Sequence, residues 1–250
     1  MVFRYSQRSA ISLPTLNLKI DNINIEKVRT FDFLGLRLTE TLTWKDHIAN
    51  LGTKISKTIG VMSRIKHHIS SSILLKIYNS LILSRLHYGI LCWGYDCHNL
   101  FKLQKKAIRT VCKTKYNSHT DPLFKQLNLL KIEDIFKVQC LKFFFKFENN
   151  KVPVYFSESF TFNRTNHNYE TRNREVFQRN TLSRQTLKKN LKNYLPILLN
   201  DVPISLISKV YTHSLDNFKM RLKIYYIDKY AISCQKVRCY VCSRWYVQHI

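Results

Sequence analysis

Ile48, Leu51, Ile55, Ile59, Met62, Ile65 and Ile69 recur at intervals of three and four. That spacing puts them on one face of a long α-helix, with Lys54, Lys57, Arg64 and His68 on the other side. An apolar stripe of this length has to be buried against other elements, and the next hundred residues supply them. Ser70 to Ser72 offer an N-cap for a second helix carrying Leu74, Ile77, Tyr78, Leu81 and Ile82. A third helix, near Asn99 to Cys112, sets Leu100, Leu103, Ala107 and Val111 on one face. Lys102, Lys105, Lys106, Arg109 and Lys113 cluster opposite. A fourth, Ile132 to about Asn149, carries Phe143, Phe144, Phe145 and Phe147 on more than one side, which favours core packing over a base-stacking platform.

The residues before this helical zone read as strands. Leu16, Leu18 and Ile20 alternate with polar residues, Asp21-Asn22 supplies turn chemistry, and Ile23 and Ile25 resume the alternation. The run from Phe31 to Leu38 reads as a further strand broken by Gly35, which marks either a bulge or a close approach by another backbone. The expected fold is therefore α+β, mainly α: strands over 1–43, a helical zone over 44–155, a linker or basic arm over 156–185 and a C-terminal extension over 186–250. The linker is rich in Asn, Arg, Thr and Ser. The extension regains apolar spacing over Tyr194–Leu199, Leu206–Tyr211 and Phe218–Tyr230.

Charge narrows the function classes. Lys and Arg number 41 against 16 Asp and Glu, a net of +25. Such a surface repels itself until a polyanion neutralises it, and nucleic acid is the usual one. The longest apolar run, Ile73 to Trp93, includes Lys76, Asn79, Arg85 and His87, so it is unfit to span a bilayer. Arg4 and Arg8 precede only a short, polar-broken stretch, unlike a signal peptide. The seven cysteines then point to a reducing compartment, and the expected location is cytoplasmic or nuclear.

Catalytic patterns are missing. Nucleotidyl transfer needs carboxylates converging on two metal ions, and no Asp-Asp or Asp-x-Asp pair is present. The adjacent acids Glu133-Asp134 fall in the first turn of a helix, where they complement its dipole. No P-loop, GxSxG or HExxH occurs. Cys234, Cys239 and Cys242, with His249 beyond, would make a Cys3His zinc site of unusual spacing, and unligated reduced thiols are the simpler reading. Cys92, Cys97, His98 and Cys112 lie among apolar residues, which suits buried thiols better than a metal site.

Several stretches together resemble the C-terminal, primer-grip and thumb part of jockey-type non-LTR retrotransposon reverse transcriptases. They include Phe31-Asp32-Phe33-Leu34-Gly35-Leu36, Leu42-Thr43-Trp44-Lys45-Asp46-His47-Ile48 and Leu75-Lys76-Ile77-Tyr78-Asn79-Ser80-Leu81-Ile82. Tyr88-Gly89-Ile90-Leu91-Cys92-Trp93-Gly94 and Leu103-Gln104-Lys105-Lys106-Ala107-Ile108-Arg109 follow in the same order. His119-Thr120-Asp121-Pro122-Leu123-Phe124, Tyr169-Glu170-Thr171-Arg172-Asn173, Tyr211-Thr212-His213-Ser214-Leu215 and the cysteine tail look similar to related elements, so the resemblance covers nearly the whole chain.

The resemblance implies that Phe33-Leu34-Gly35 is the tip of a primer-grip hairpin and that the helices after it form a thumb along a template–primer duplex. Lys54, Lys57, Lys102, Lys105, Lys106, Arg109 and Lys113 would then face nucleic acid. It also implies that the catalytic aspartates belong to a palm N-terminal to Met1. The expected function is that of an inactive reverse-transcriptase fragment that binds RNA, DNA or RNA–DNA hybrid without sequence preference and requires no cofactor. The alternative is a non-enzymatic module that binds an acidic protein partner.

Overall fold

The computed structural model describes residues 18–153, 191–210 and 213–231. It opens on two antiparallel hairpins. β1 (Lys19–Ile20) pairs with β2 (Ile23–Asn24), and β3 (Thr30–Phe33) pairs with β4 (Leu36–Thr39). Both turns have two residues at positive φ: Asp21 (48°) and Asn22 (65°) in the first, Leu34 (47°) and Gly35 (77°) in the second. Two-residue turns of this handedness match the right-handed twist of the strands. Asp-Asn adopts it readily, whereas Leu34 carries strain of the order of 1–3 kcal/mol that the surroundings must hold. The run from Phe31 to Leu38 is thus not one strand interrupted by glycine. It is a hairpin, and Gly35 sits in its turn.

Helices make up the rest, so the fold is α+β and mainly α. α1 (Lys45–Ile65) buries Ile48, Leu51, Ile55, Ile59 and Met62, while Ile65 and Ile69 are only half-buried at its trailing end. α2 (Ser71–Ile77) begins at Ser70, whose hydroxyl accepts from the Ile73 amide. It continues into a wide π-helical stretch, Tyr78–Leu83, and then α3 (Ser84–His87). Here the core residues are Leu74, Tyr78, Ile82 and Leu86, spaced by four. An ideal α-helix would rotate such a series off its face by about 40° per step, and the wider turn keeps it aligned. Leu81, expected inside, is 45% exposed.

α4 (Ile90–Trp93) leads through a short 3₁₀ turn to α5 (His98–Val111) and α6 (Asp121–Gln126). α7 (Ile132–Glu148) is buried on most sides, from Ile132 and Ile135 to Phe144 and Phe145, because α3, α4, α5 and later helices all pack on it. Its phenylalanines are core. Phe145 meets Phe218 with ring centroids 5.3 Å apart. α8 (Leu191–Asp201), α9 (Ile204–Ile207) and α10 (Leu215–Asp228) add Leu195, Leu198, Leu199, Phe218 and Leu222 to the same core.

Gln104 locks α5 to the start of α7. It is fully buried, donates to Tyr78 Oη (3.0 Å) and to the Leu130 carbonyl (3.0 Å), and accepts from the Ile132 amide (2.8 Å). Asp134, read from sequence as a helix-dipole partner, is also a buried acceptor, receiving the Tyr230 hydroxyl at 2.6 Å and pairing with Lys137 at 3.4 Å. Among the described residues no helix is long and apolar enough to cross a membrane.

Candidate nucleic-acid interface

The tip of the β3–β4 hairpin rests on the loop after α3. Tyr88 donates its hydroxyl to the Leu34 carbonyl, and its ring lies so near Gly35 that an added Cβ would stand 3.4 Å from Cε1. Next in the chain, Gly89 has φ 61° and is packed under Leu36, whose Cδ2 would lie 2.7 Å from a Cβ there. What lies against Gly35 is a tyrosine side chain of this chain at ordinary contact distance, not another backbone. On its outer side the hairpin stays bare: Phe31, Phe33 and Leu34 are all exposed, as are Leu18, Ile20, Ile23 and Ile25 of the first hairpin. The N-terminal strands therefore carry an exposed apolar face.

Beneath the turn lies a groove of about 240 Å3. Gly35 forms its rim, His47, Asn50 and Lys54 line it from α1, and Ser84, Arg85 and Tyr88 line it from α3 and the following loop. Arg85 spans the two helices, donating from Nη1 to Thr58 Oγ1 (3.2 Å) and, more weakly, to the Lys54 carbonyl (3.5 Å). The rest of its fork and the Lys54 ammonium form no ion pair among the described residues. Among the described residues no carboxylate lines the groove. The nearby acid, Asp32, is held by Arg37 through two bonds of 2.9 Å across the hairpin. That bonding lowers its pKa below the ordinary carboxylate value.

His47 is the buried polar residue of the groove. Its Nδ1 accepts from the Arg37 amide at 3.2 Å, so a neutral ring carries its proton on Nε2, which is buried and has no acceptor. Burial first, and the charge of Lys54 second, push its pKa below 6.5. Trp44 and Trp93 brace the ring, at centroid distances of 6.1 and 6.0 Å.

The other basic residues read from the sequence are spread differently. Lys57 is exposed one turn beyond Lys54 on α1. On α5, Lys102 and Lys106 are exposed, and Lys113 is exposed just past the helix with φ 55°, inside the C-terminal cap. Lys105 leans over the Phe101 ring, 4.6 Å from its centroid. Arg109 is half-buried and donates from Nε to the Ser118 carbonyl at 2.8 Å, and burial lowers its pKa. The structure therefore separates a free stripe (Lys102, Lys106, Lys113) from two cations with local roles. Arg85 was visible in the sequence only as a cation in the most apolar run, a signal easily read as a mere bar to membrane insertion.

Cys234, Cys239, Cys242 and His249 lie outside the described residues. Among the described residues no group of His, Cys, Asp or Glu is placed to hold a metal ion. Cys97 is buried and its thiol is pushed up to about 12, mainly by burial, so it stays protonated at neutral pH.

No family model matches this sequence, and no curated protein or solved structure is significantly similar to it.

Proposed function

We propose that this chain is the primer-grip and thumb portion of a non-LTR retrotransposon reverse transcriptase, and that its own biochemistry is sequence-independent binding of RNA, DNA or their hybrid. The groove under the hairpin tip carries the reading. It offers two cations, Lys54 and Arg85, beside the His47 ring, and no lining acid among the described residues. At about 240 Å3 it is smaller than the ~300–1,000 Å3 usual for small-molecule sites. A phosphodiester with its sugar suits it in size, and phosphate oxygens are the acceptors that such donors lack. The net charge of +25 supplies long-range attraction for the same ligand.

The reading assigns no catalysis to this chain. Among the described residues, Asp32, Asp121 and Asp134 are each tied to a basic partner and lie on separate elements, which suits structural roles.

The test is a salt titration of binding to a DNA–RNA template–primer hybrid. Wild type is compared with Lys54→Gln/Lys57→Gln and with Lys102→Gln/Lys106→Gln, whose side chains make no hydrogen bonds or ion pairs among the described residues. Each lost phosphate contact should flatten the log–log slope by about 0.9 and weaken unrelated sequences alike. Curves that overlap wild type for both variants would remove the nucleic-acid reading. Primer extension with magnesium and dNTPs should stay at the no-protein level, and incorporation above it would overturn the inactive-fragment reading.

A further inference from the structure

α7 and α10 pack antiparallel. Asp134 meets Tyr230, Lys137 lies over the Tyr226 ring at 5.6 Å, and Phe145 meets Phe218, so numbers rise along one helix as they fall along the other. Leu141 and Phe145 on α7, with Phe218 and Leu222 on α10, are the buried residues of this seam. Lys142 follows Leu141 by one position, while Lys219 and Lys223 follow Phe218 and Leu222 by one. In an antiparallel pair, residues one step past the core on both helices border the same flank. Lys146 lies one turn beyond Lys142. His87 of α3 reaches the same flank, its Nδ1 3.2 Å from Nε2 of Gln139, one turn before Lys142.

The flank thus gathers like charges drawn from three separate parts of the chain. Lys142 is held below its ordinary pKa by burial, then by Lys219 and Lys146, and Lys223 by burial, then by Lys219. His87 is lowered by burial, then by Lys142 and Lys219. The acid acting on Lys142 is Asp216, and none of these lysines forms an ion pair among the described residues. Lysines that only cover an apolar seam with their stems are free to splay their ammonium groups apart into water. Here they border one flank of the packed pair, where their like charges favour an anion between them.

We propose that the α7–α10 seam is a second phosphate-binding face, where Lys142, Lys146, Lys219 and Lys223 engage neighbouring phosphates of a nucleic-acid strand. It rests on the nucleic-acid reading above but uses none of the groove residues. Along each helix the lysines rise about 6 Å apart, a length over which one strand of a duplex presents about two charges at ~3.4 Å of helix axis each. Because the ligand bridges two helices, it binds only where α10 is docked on α7, and its binding holds that docking in place.

The experiment uses the full chain and the same DNA–RNA hybrid. Lys142→Gln/Lys219→Gln/Lys223→Gln should lose affinity at low salt, with a slope flatter by about two to three. The single variant Lys219→Gln, at an exposed site, should lose about one and keeps the test open should the triple variant fail to fold. Amide exchange across α10 should slow when hybrid is added to wild type, and much less in the variants. Wild-type binding with variants that titrate identically, or α10 amides indifferent to hybrid, would sink the seam proposal alone. Failure of wild type to bind any hybrid would take down the nucleic-acid reading and the seam with it.

Discussion

The hydroxyl of Tyr88 donates to the main-chain carbonyl of Leu34, 54 residues earlier, and so pins an exposed hairpin tip to the helical body. The same bond steadies Leu34 in a left-handed conformation that leucine adopts at a cost. Tyr88→Phe keeps the ring against Gly35 and removes only the hydroxyl. It should cost about 1 kcal/mol. Amides of β3 and β4 should exchange faster while those of α1, α5 and α7 keep their protection. Unchanged hairpin protection would mean that Leu36 packed on Gly89 suffices to hold it.

Gln104 answers three partners at once, two of them buried and the Leu130 carbonyl partly so, and no apolar residue of similar size can do so. Gln104→Leu leaves the Leu130 carbonyl and the Ile132 amide without their bonds, and deprives Tyr78 Oη of its donor. At about 1–3 kcal/mol for each orphaned buried group, partly offset by the better apolar burial, the expected loss is about 3 kcal/mol in urea unfolding. A loss under about 1 kcal/mol would show that water or a local shift takes over these bonds.

Gly94 is buried where the 3₁₀ turn crosses α7. A Cβ there would lie 2.5 Å from Phe136 Cδ2 and 2.8 Å from Ile90 Cγ1, both inside the core. Gly94→Ala should destabilise by about 1–3 kcal/mol through overpacking, although alanine is the better helix former. Adding Phe136→Leu should recover part of that loss. Purely additive effects in the double-mutant cycle would contradict the packing explanation.

Acid should weaken the fold through His47. Burial, then Lys54, lowers its folded pKa below the unfolded value of 6.5. Between the two values the unfolded chain takes a proton that the folded chain refuses. Its contribution is therefore complete above about 6.5, falls as pH drops through that value, and stops falling below the folded pKa. His87 shifts in the same direction, by burial and then Lys142 and Lys219. Urea unfolding should give lower stability at about pH 5.5 than at about pH 7.5, a range in which ordinary carboxylates stay ionised. His47→Gln, which keeps an acceptor for the Arg37 amide, should shrink that difference. An undiminished pH dependence would place the titrating group elsewhere.

What the sequence by itself determined is whatever depends on local periodicity and chain-wide charge. The three-and-four spacing of Ile48 to Met62 specifies α1 and its buried face, Ser70 specifies a helix start, Asp21-Asn22 a turn, and the excess of lysine and arginine a strongly positive chain. Even there the pattern blurred where the helix departed from α geometry. The π-helical stretch put Leu81 outside and kept Tyr78 and Ile82 inside, because hydrogen bonds one residue longer shift the face by a step that no 3.6-residue template contains. Only the tertiary structure decided which cations stand together. Lys54 and Arg85 share a groove across 31 positions, and Lys142 shares a flank with Lys219 across 77, while Arg109, in step with Lys102 and Lys106 by sequence, is spent on the Ser118 carbonyl. Side-chain charge is legible residue by residue. Its convergence depends on how helices cross and which backbone groups need a donor, and these are settled only when the core closes.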